Sequence, residues 1–320
     1  MSLNINLLLF LKKQGDILKT IYIKNHDIVR LPKPVCAAIG NFDGVHLGHQ
    51  KLIEECKRHG YKSAVLTFYP HPSVFLKKIP NYPLVTPIEH KIDIIGRMGI
   101  DYLIIVEFND EVKDITKDEF MQMMKQMNIV SCVCGYDFTF GKKALGNIRD
   151  LDKHFEFYEI KKYVFDDVRV STTYIRELLQ VGDVKMAAKL LGRNYSIRGE
   201  VIHGSALGRI IGFPTANVEY SNYFLPANGV YFVTVNIDNN LYFGMCNIGN
   251  NPTFNYSHNK RVEVNIFGLN VDLYGKKIEV SFYDKIREEK QFKNKEELIE
   301  QLNKDKTYCY ELSKNINLTK

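Results

Sequence analysis

The sequence predicts two unlike domains: an α/β domain on a parallel sheet, then an antiparallel β-barrel closed by a C-terminal helix. Three observations carry this. The chain has 320 residues, more than one ordinary domain and enough for a core in each of two. Its first half alternates short apolar runs with helix-period segments, the pattern of strands joined by helical crossovers. Its second half, from about Tyr195, offers one β-rich run after another. We set the boundary at residue 184, giving domains 1–184 and 185–320.

In the first half, "VCAAIG" (35–40) reads as a strand that ends in glycine. "HLGHQKLIEECKRHG" reads as a helix with Leu52, Ile53 and Cys56 on one side and Gly60 as its stop. The strands "KSAVLTF" (62–68), "DYLIIVEF" (101–108) and "IVSCVCG" (129–135) follow, separated by the helices "IEHKIDIIGRMG" (88–99) and "KDEFMQMMKQM" (117–127). In such sheets ligands bind beyond the carboxyl ends of the strands. "DVKMAAKLLG" (183–192) is a helix linking the halves. The strands after it are "YSIRGEVIHG", "GVYFVTVNI", "LYFGMCNIG", "RVEVNIFG" and "KKIEVSFYDKI". Asn239-Asn240 is expected in a hairpin turn, and Asn294 with Glu297 has capping-box spacing at the start of the closing helix.

Composition bounds the function. The chain is 45% hydrophobic and 25% charged, with a net charge of +6 and a pI near 8.8. The charge is spread along the chain. It suits an anionic small substrate, and no basic stripe interleaved with aromatics points to nucleic acid. The apolar run "INLLLFL" (Ile5–Leu11) is too short to span a bilayer and lacks the flanks of a signal peptide; a first strand or packed N-terminal segment is expected. No membrane and no nucleic-acid partner are therefore expected. The six cysteines form no CxxC pair and read as buried thiols in a reducing cytoplasm. Monomer or weak homo-oligomer is the expected state.

The chemistry of the first half centres on "GNFDGVHLGHQ". A glycine turn leads from strand to helix there, and free N–H groups with the positive end of the dipole favour a phosphate. Gly40, Asn41, Phe42 and Gly48 shape this turn. His46 and His49, three residues apart, share a face and can donate to phosphate oxygens. A plain cap and a metal site are the alternatives. Two histidines make only half a zinc site, and no cysteine or nearby carboxylate completes it, so phosphate chemistry is favoured. Ser171, Thr172 and Thr173 open another helix, as phosphate donors or as an ordinary cap, with Arg176 one turn in to chelate an oxyanion. Phe68 and Phe138 flank polar turns and either stack on a ligand ring or pack in the core. Asp137 follows a strand end, where it can hydrogen-bond a ligand.

In the second half "GEVIHGSALGRIIGFPTANV" (199–218) spaces Gly204, Gly208 and Gly212 four apart around Arg209. Such a loop lets backbone N–H groups approach polyphosphate, or is simply a glycine-rich turn; it lacks the GK[ST] ending of a Walker A loop. Thr215 and Asn217 offer hard oxygens of the kind Mg2+ accepts.

These motifs resemble a known family. HxGH after a first strand resembles the nucleotidyltransferase superfamily, and the fuller "GNFDGVHLGHQ" looks like the prokaryotic bifunctional FAD synthetases. "LTFYPHP" (66–72), "GYDFTFG" (135–141) and "VSTTYIRELL" (170–179) agree. "GRIIGFPTAN", "LPANGVY", "NIGNNPTF" and "VDLYGKKIEVSFYDKIREEKQF" are similar to riboflavin kinase signatures. The resemblance implies a Rossmann-like nucleotidyltransferase domain that adenylylates FMN to FAD with release of pyrophosphate. It implies a barrel that phosphorylates riboflavin with ATP, Mg2+ being held by Thr215 and Asn217. It makes Glu263 the base for the riboflavin hydroxyl, although Val262, Val264 and Ile266 leave open which strand face Glu263 occupies. It places Asp137 at the nucleotide or flavin, and Arg287 with Phe292 over the flavin. Substrates and products are then riboflavin, FMN, FAD and ATP. One active domain beside a flavin- or nucleotide-binding module is the alternative. The chain departs from the family pattern at Thr139, Ala144, Thr172, Asn265 and Gly268.

Overall fold

The computed structural model describes residues 9–11, 18–24, 29–79, 82–204, 207–250, 260–314 and 316. The chain divides into two compact units, Met1–Thr172 and Thr173–Lys320. Most of "INLLLFL" lies outside the described residues, as do Ser205, Ala206 and the end of "NIGNNPTF".

The first unit runs β1 (Leu9–Leu11), β2 (Leu18–Ile23), β3 (Val35–Ile39), α1 (Leu47–Cys56), β4 (Lys62–Tyr69), α2 (Pro72–Leu76) and α3 (Ile88–Gly96). It continues through β5 (Tyr102–Glu107), α4 (Asp110–Asp114), α5 (Lys117–Gln126), β6 (Ile129–Gly135), the small ribbon β7 (Thr139–Phe140) and β8 (Gly146–Asn147), and α6 (Ile148–Asp152). β9 (Glu156–Ile160) and the ribbon β10 (Val164–Phe165) and β11 (Val168–Arg169) complete it. One seven-stranded sheet has the order β1-β2-β5-β4-β3-β6-β9, parallel from β2 to β9 with β1 antiparallel at its edge. β3 sits between β4 and β6 and is fully buried. Its alternate residues feed two cores: Val35, Ala37 and Ile39 on one face, Cys36 and Ala38 on the other. That double burial is why these strands read as continuous apolar runs. Cys132 and Cys134 share the face of Ala37, and all six cysteines are buried free thiols.

The second unit holds most of α7 (Thr172–Val181), then α8 (Val184–Leu191), β12 (Tyr195–Ile202), a short turn of helix α9 (Leu207–Ile210) and β13 (Ala216–Tyr220). β14 (Gly229–Ile237), β15 (Asn240–Asn250), β16 (Lys260–Ile266), β17 (Lys277–Arg287) and α10 (Lys295–Ser313) follow. The strands close a six-stranded antiparallel barrel in the order β12-β13-β16-β15-β14-β17. α8 packs on β12 and β17 instead of spanning between the halves. α10 covers the barrel through Cys309, against Phe213, Val230, Phe232, Met245 and Phe267. Asn294 caps α10 by accepting from the Glu297 N–H, while the Glu297 carboxylate accepts from the Lys293 N–H instead of closing a reciprocal box.

Two local expectations change. The hairpin between β14 and β15 turns on Asp238-Asn239, both at positive φ, and Asn240 is the first paired residue of β15. A two-residue turn matching the strand twist needs left-handed backbone at both central positions, and Asp and Asn tolerate it. The strand β13 was hidden in the PTAN motif. It pairs with β16 at two positions and carries few strand formers, too short a signal for periodicity to reveal.

Candidate active sites

The turn after β3 is built as the sequence suggests. Phe42, Gly44 and Val45 adopt positive φ, and Phe42, Asp43 and Val45 are buried. His46 is the N-cap of α1, and its Nδ1 accepts the His49 N–H at 3.2 Å. An imidazole nitrogen that accepts a hydrogen bond carries no proton, so the neutral ring bears its proton on Nε2, as a donor. The His46 and His49 rings stack with centroids 3.6 Å apart, and Phe42 meets His49 edge-on at 5.2 Å. A side chain at Gly48 would press on the His46 ring at 3.2 Å, so glycine there keeps the capping geometry. Cap and histidine pair are thus one feature: the cap sets the tautomer and leaves Nε2 as the donor.

Side chains from α3, β4 and the start of α7 hold this turn. Lys91 of α3 is 2% exposed and donates from Nζ to the Asn41 carbonyl at 2.6 Å; the Thr67 hydroxyl donates to the same oxygen at 3.2 Å. Burial pulls the Lys91 ammonium down to about 8, partly offset by the Asp43 charge. Asp43 accepts the Thr86 N–H at 2.9 Å, and the Thr172 hydroxyl donates to the Asp43 carbonyl at 2.8 Å. Thr172 therefore braces the turn, which removes its hydroxyl proton from the donors expected to face a phosphate. Ser171 is half-buried beside it, and Thr173 is exposed. Sequence reasoning missed Lys91; the available signal was a cation one turn from Ile88 and Ile95 on a buried helix stripe.

Phe68 and Phe138 are both partly buried against the core of the first unit, Phe68 among Phe108 and Phe120 and Phe138 stacked on Phe140. Asp137 is exposed and pairs with Arg169 at 2.8 Å. In the second unit the Arg176 guanidinium lies over the Phe224 ring at 4.4 Å.

On the barrel, strand register gathers the expected kinase residues. Asn217 of β13 stands opposite Glu263 of β16, which stands opposite Asn247 of β15. Directly paired residues share a sheet face. The next row, Ala216, Val264 and Cys246, belongs to the opposite face, where Val264 and Cys246 are fully buried. This resolves the face of Glu263: half-buried, beside two amides, with one oxygen 3.2 Å from Arg261. Gly204 lies against the Asn217 amide, where a Cβ would fall 2.0 Å away, so only glycine leaves that amide its place. Gly208 similarly abuts the Phe213 carbonyl, and Gly212 takes φ +82. Thr215 is exposed just before β13. Asn265 donates to the Pro214 carbonyl at 2.7 Å, fixing the residue before Thr215. A hydroxyl and an amide oxygen with a carboxylate nearby form a hard-oxygen donor set that fits Mg2+. The Arg209 side chain is outside the described atoms.

Arg287, expected over the flavin, also bonds within the protein. It is the last residue of β17, and its Nε and Nη2 bind Asp305 of α10 at 2.8–3.1 Å while Nη1 donates to the Glu288 carbonyl. Phe292 lies 5.8 Å from its guanidinium. Asp305 is 2% exposed and also accepts from Gln301. A buried carboxylate needs such a partner, so Arg287 tethers the C-terminal helix.

A parallel-sheet unit with a histidine-capped helix start, followed by a closed barrel with a glycine loop and a carboxylate, defines a chain with two nucleotide-handling units. Comparison with known proteins agrees. The riboflavin kinase family model matches residues 191–313 and the FAD synthetase model residues 29–177. The bifunctional riboflavin kinase/FMN adenylyltransferase of Bacillus subtilis is 40% identical over 305 residues, covering 90% of this chain and 96% of that protein. The Escherichia coli K12 protein of the same description is 32% identical, covering 88% and 93%. A crystal structure from Streptococcus pneumoniae titled as a macrolide-efflux protein superposes with a TM-score of 0.84 at 33% identity, covering 93% of this chain and 99% of that one. The chain belongs to the family of bifunctional riboflavin kinases/FMN adenylyltransferases. Among the described residues no helix is long and apolar enough to cross a membrane.

Proposed function

We propose that residues 185–320 phosphorylate riboflavin to FMN and residues 1–184 adenylylate FMN to FAD, in one cytoplasmic chain acting as a monomer or weak homo-oligomer on small molecules, with no nucleic-acid or membrane partner. The observation that carries the reading is the match of both family models, in order, to the two units. In the kinase step Glu263 takes the proton of the riboflavin 5′-hydroxyl as that oxygen attacks the γ-phosphorus of ATP, leaving ADP. Gly204, Gly208, Arg209 and Gly212 receive the phosphates. Thr215 and Asn217 would hold Mg2+, which when bound neutralises phosphate charge. In the second step the FMN phosphate attacks the α-phosphorus of another ATP and pyrophosphate leaves. No protein nucleophile is needed. Gly40, Asn41 and Phe42 belong to the phosphate turn and Gly48 to the first turn of α1, His46 donates from Nε2, and His49, Ser171, Thr173 and Arg176 add donors to the charge that develops. Phe68, Asp137, Phe138 and Arg287 are assigned to the flavin.

The test is to incubate the purified chain with riboflavin, ATP and Mg2+ and resolve the flavins by chromatography over time. FMN that rises and then gives way to FAD is the expected result. FMN accumulating without FAD, under oxidising and reducing conditions, would leave one active domain. No turnover of either kind would overturn the assignment.

A further inference from the structure

Lys91 is an anomaly that neither step above uses. An ammonium that is 2% exposed carries a large desolvation cost, and the positions one turn away on α3 are Ile88 and Ile95. An apolar side chain would pack there at less cost. What Lys91 touches is the phosphate turn. Its Nζ binds the Asn41 carbonyl at 2.6 Å, Thr67 binds the same oxygen, and the turn's own buried Asp43 is the charged group acting on it. In a trans peptide the C=O and the following N–H point to opposite sides of the plane. Drawing the Asn41 carbonyl inward therefore turns the Phe42 N–H the other way. The left-handed residues that follow, Phe42, Gly44 and Val45, then lead to the His46 cap.

We propose that Lys91 is a positioning residue for adenylyl transfer: from beneath the Gly40–Val45 turn, its buried ammonium holds Asn41 in the orientation that presents the turn and the His46 helix start to the phosphates. This rests on the assignment of FMN adenylylation to the first unit, which wild-type conversion of FMN to FAD tests separately. Lys91 touches no reacting atom. Its effect passes through the Asn41 carbonyl and through the charge it sets against Asp43.

The full-length chain supplies its own control, because riboflavin phosphorylation is carried by the other unit. Lys91→Met and Lys91→Arg are compared with wild type for FMN-to-FAD and riboflavin-to-FMN turnover between pH 6 and pH 9.5. Displacing a phosphate-binding turn costs about 100-fold in turnover. The expected Lys91→Met result is that loss in FAD formation, with riboflavin phosphorylation unchanged. A lysine held near 8 is charged below that pH and neutral above it, so wild-type FAD formation declines above about pH 8. In Lys91→Arg, whose guanidinium keeps its proton, that decline disappears. FAD formation by Lys91→Met within about threefold of wild type, on the scale of the expected loss, overturns the proposal. An active Lys91→Arg enzyme that declines at the same pH as wild type overturns it equally. If Lys91→Met is insoluble, the Lys91→Arg profile decides alone.

Discussion

Replacing Asp305 with alanine separates the two occupations open to Arg287. The wild-type carboxylate is 2% exposed and accepts from Arg287 Nε and Nη2 and from Gln301. Removing one member of a buried pair leaves the other charge unpaired, at about 3–5 kcal/mol. The Arg287 side chain is 19% exposed, so water reaches part of it and the lower figure, about 3 kcal/mol, applies. For a unit of this size each kcal/mol moves the midpoint by roughly 2–5 °C, so Asp305→Ala lowers the barrel's transition by about 10 °C. Scanning calorimetry reads this, with the loss of riboflavin kinase activity on heating assigning the transition to the barrel. Below that transition the KM for riboflavin stays near the wild-type value if Arg287 serves as a tether. The double variant Arg287→Met/Asp305→Leu removes both charges and recovers much of the loss. A transition within about 2 °C of wild type in Asp305→Ala would refute the tether. So would a raised riboflavin KM without a stability change.

Glu263→Gln keeps the shape of the side chain and removes the base; FMN formation falls by about 10²–10⁴-fold while supplied FMN is still converted to FAD, measured by chromatography of the flavins. His46→Asn keeps a side-chain acceptor at the α1 cap and loses the Nε2 donor, so FAD formation falls by about 10²–10³-fold with the melting temperature nearly unchanged, whereas His46→Ala also loses about 1 kcal/mol of cap stability. Asp101 accepts from the Lys62 ammonium and from the Ser63 N–H and hydroxyl, which hold its carboxyl below the usual range against the opposing effect of burial. A carboxyl lowered by folding stabilises above its unfolded value, about 3.9, and that contribution is lost as pH falls through the folded value. Asp101→Asn therefore melts lower than wild type at pH 7, and the difference shrinks toward pH 3 in paired thermal scans.

Much of this protein was legible in the sequence because the signals are local. β3, β4, β5 and β6 are apolar runs, and α1 and α5 carry their own caps, so the α/β half followed from short-range pattern. The His46–His49 spacing likewise set a shared helix face before any fold was known. Other features depended on residues far apart in the chain. The face of Glu263 was undecided until β13 and β15 fixed its register beside Asn217 and Asn247, since strand alternation defines two faces without saying which is inward. The tie between Arg287 and Asp305 appeared only when α10 was folded back on β17. Lys91 went unread in the sequence because its partner, the Asn41 carbonyl, lies fifty residues earlier in the chain. The sequence by itself determined the two fold classes, the chemical inventory and the order of the motifs. Only the tertiary structure decided which charges are buried and what they hold, because burial and pairing are properties of segments brought together, and no local spacing encodes them.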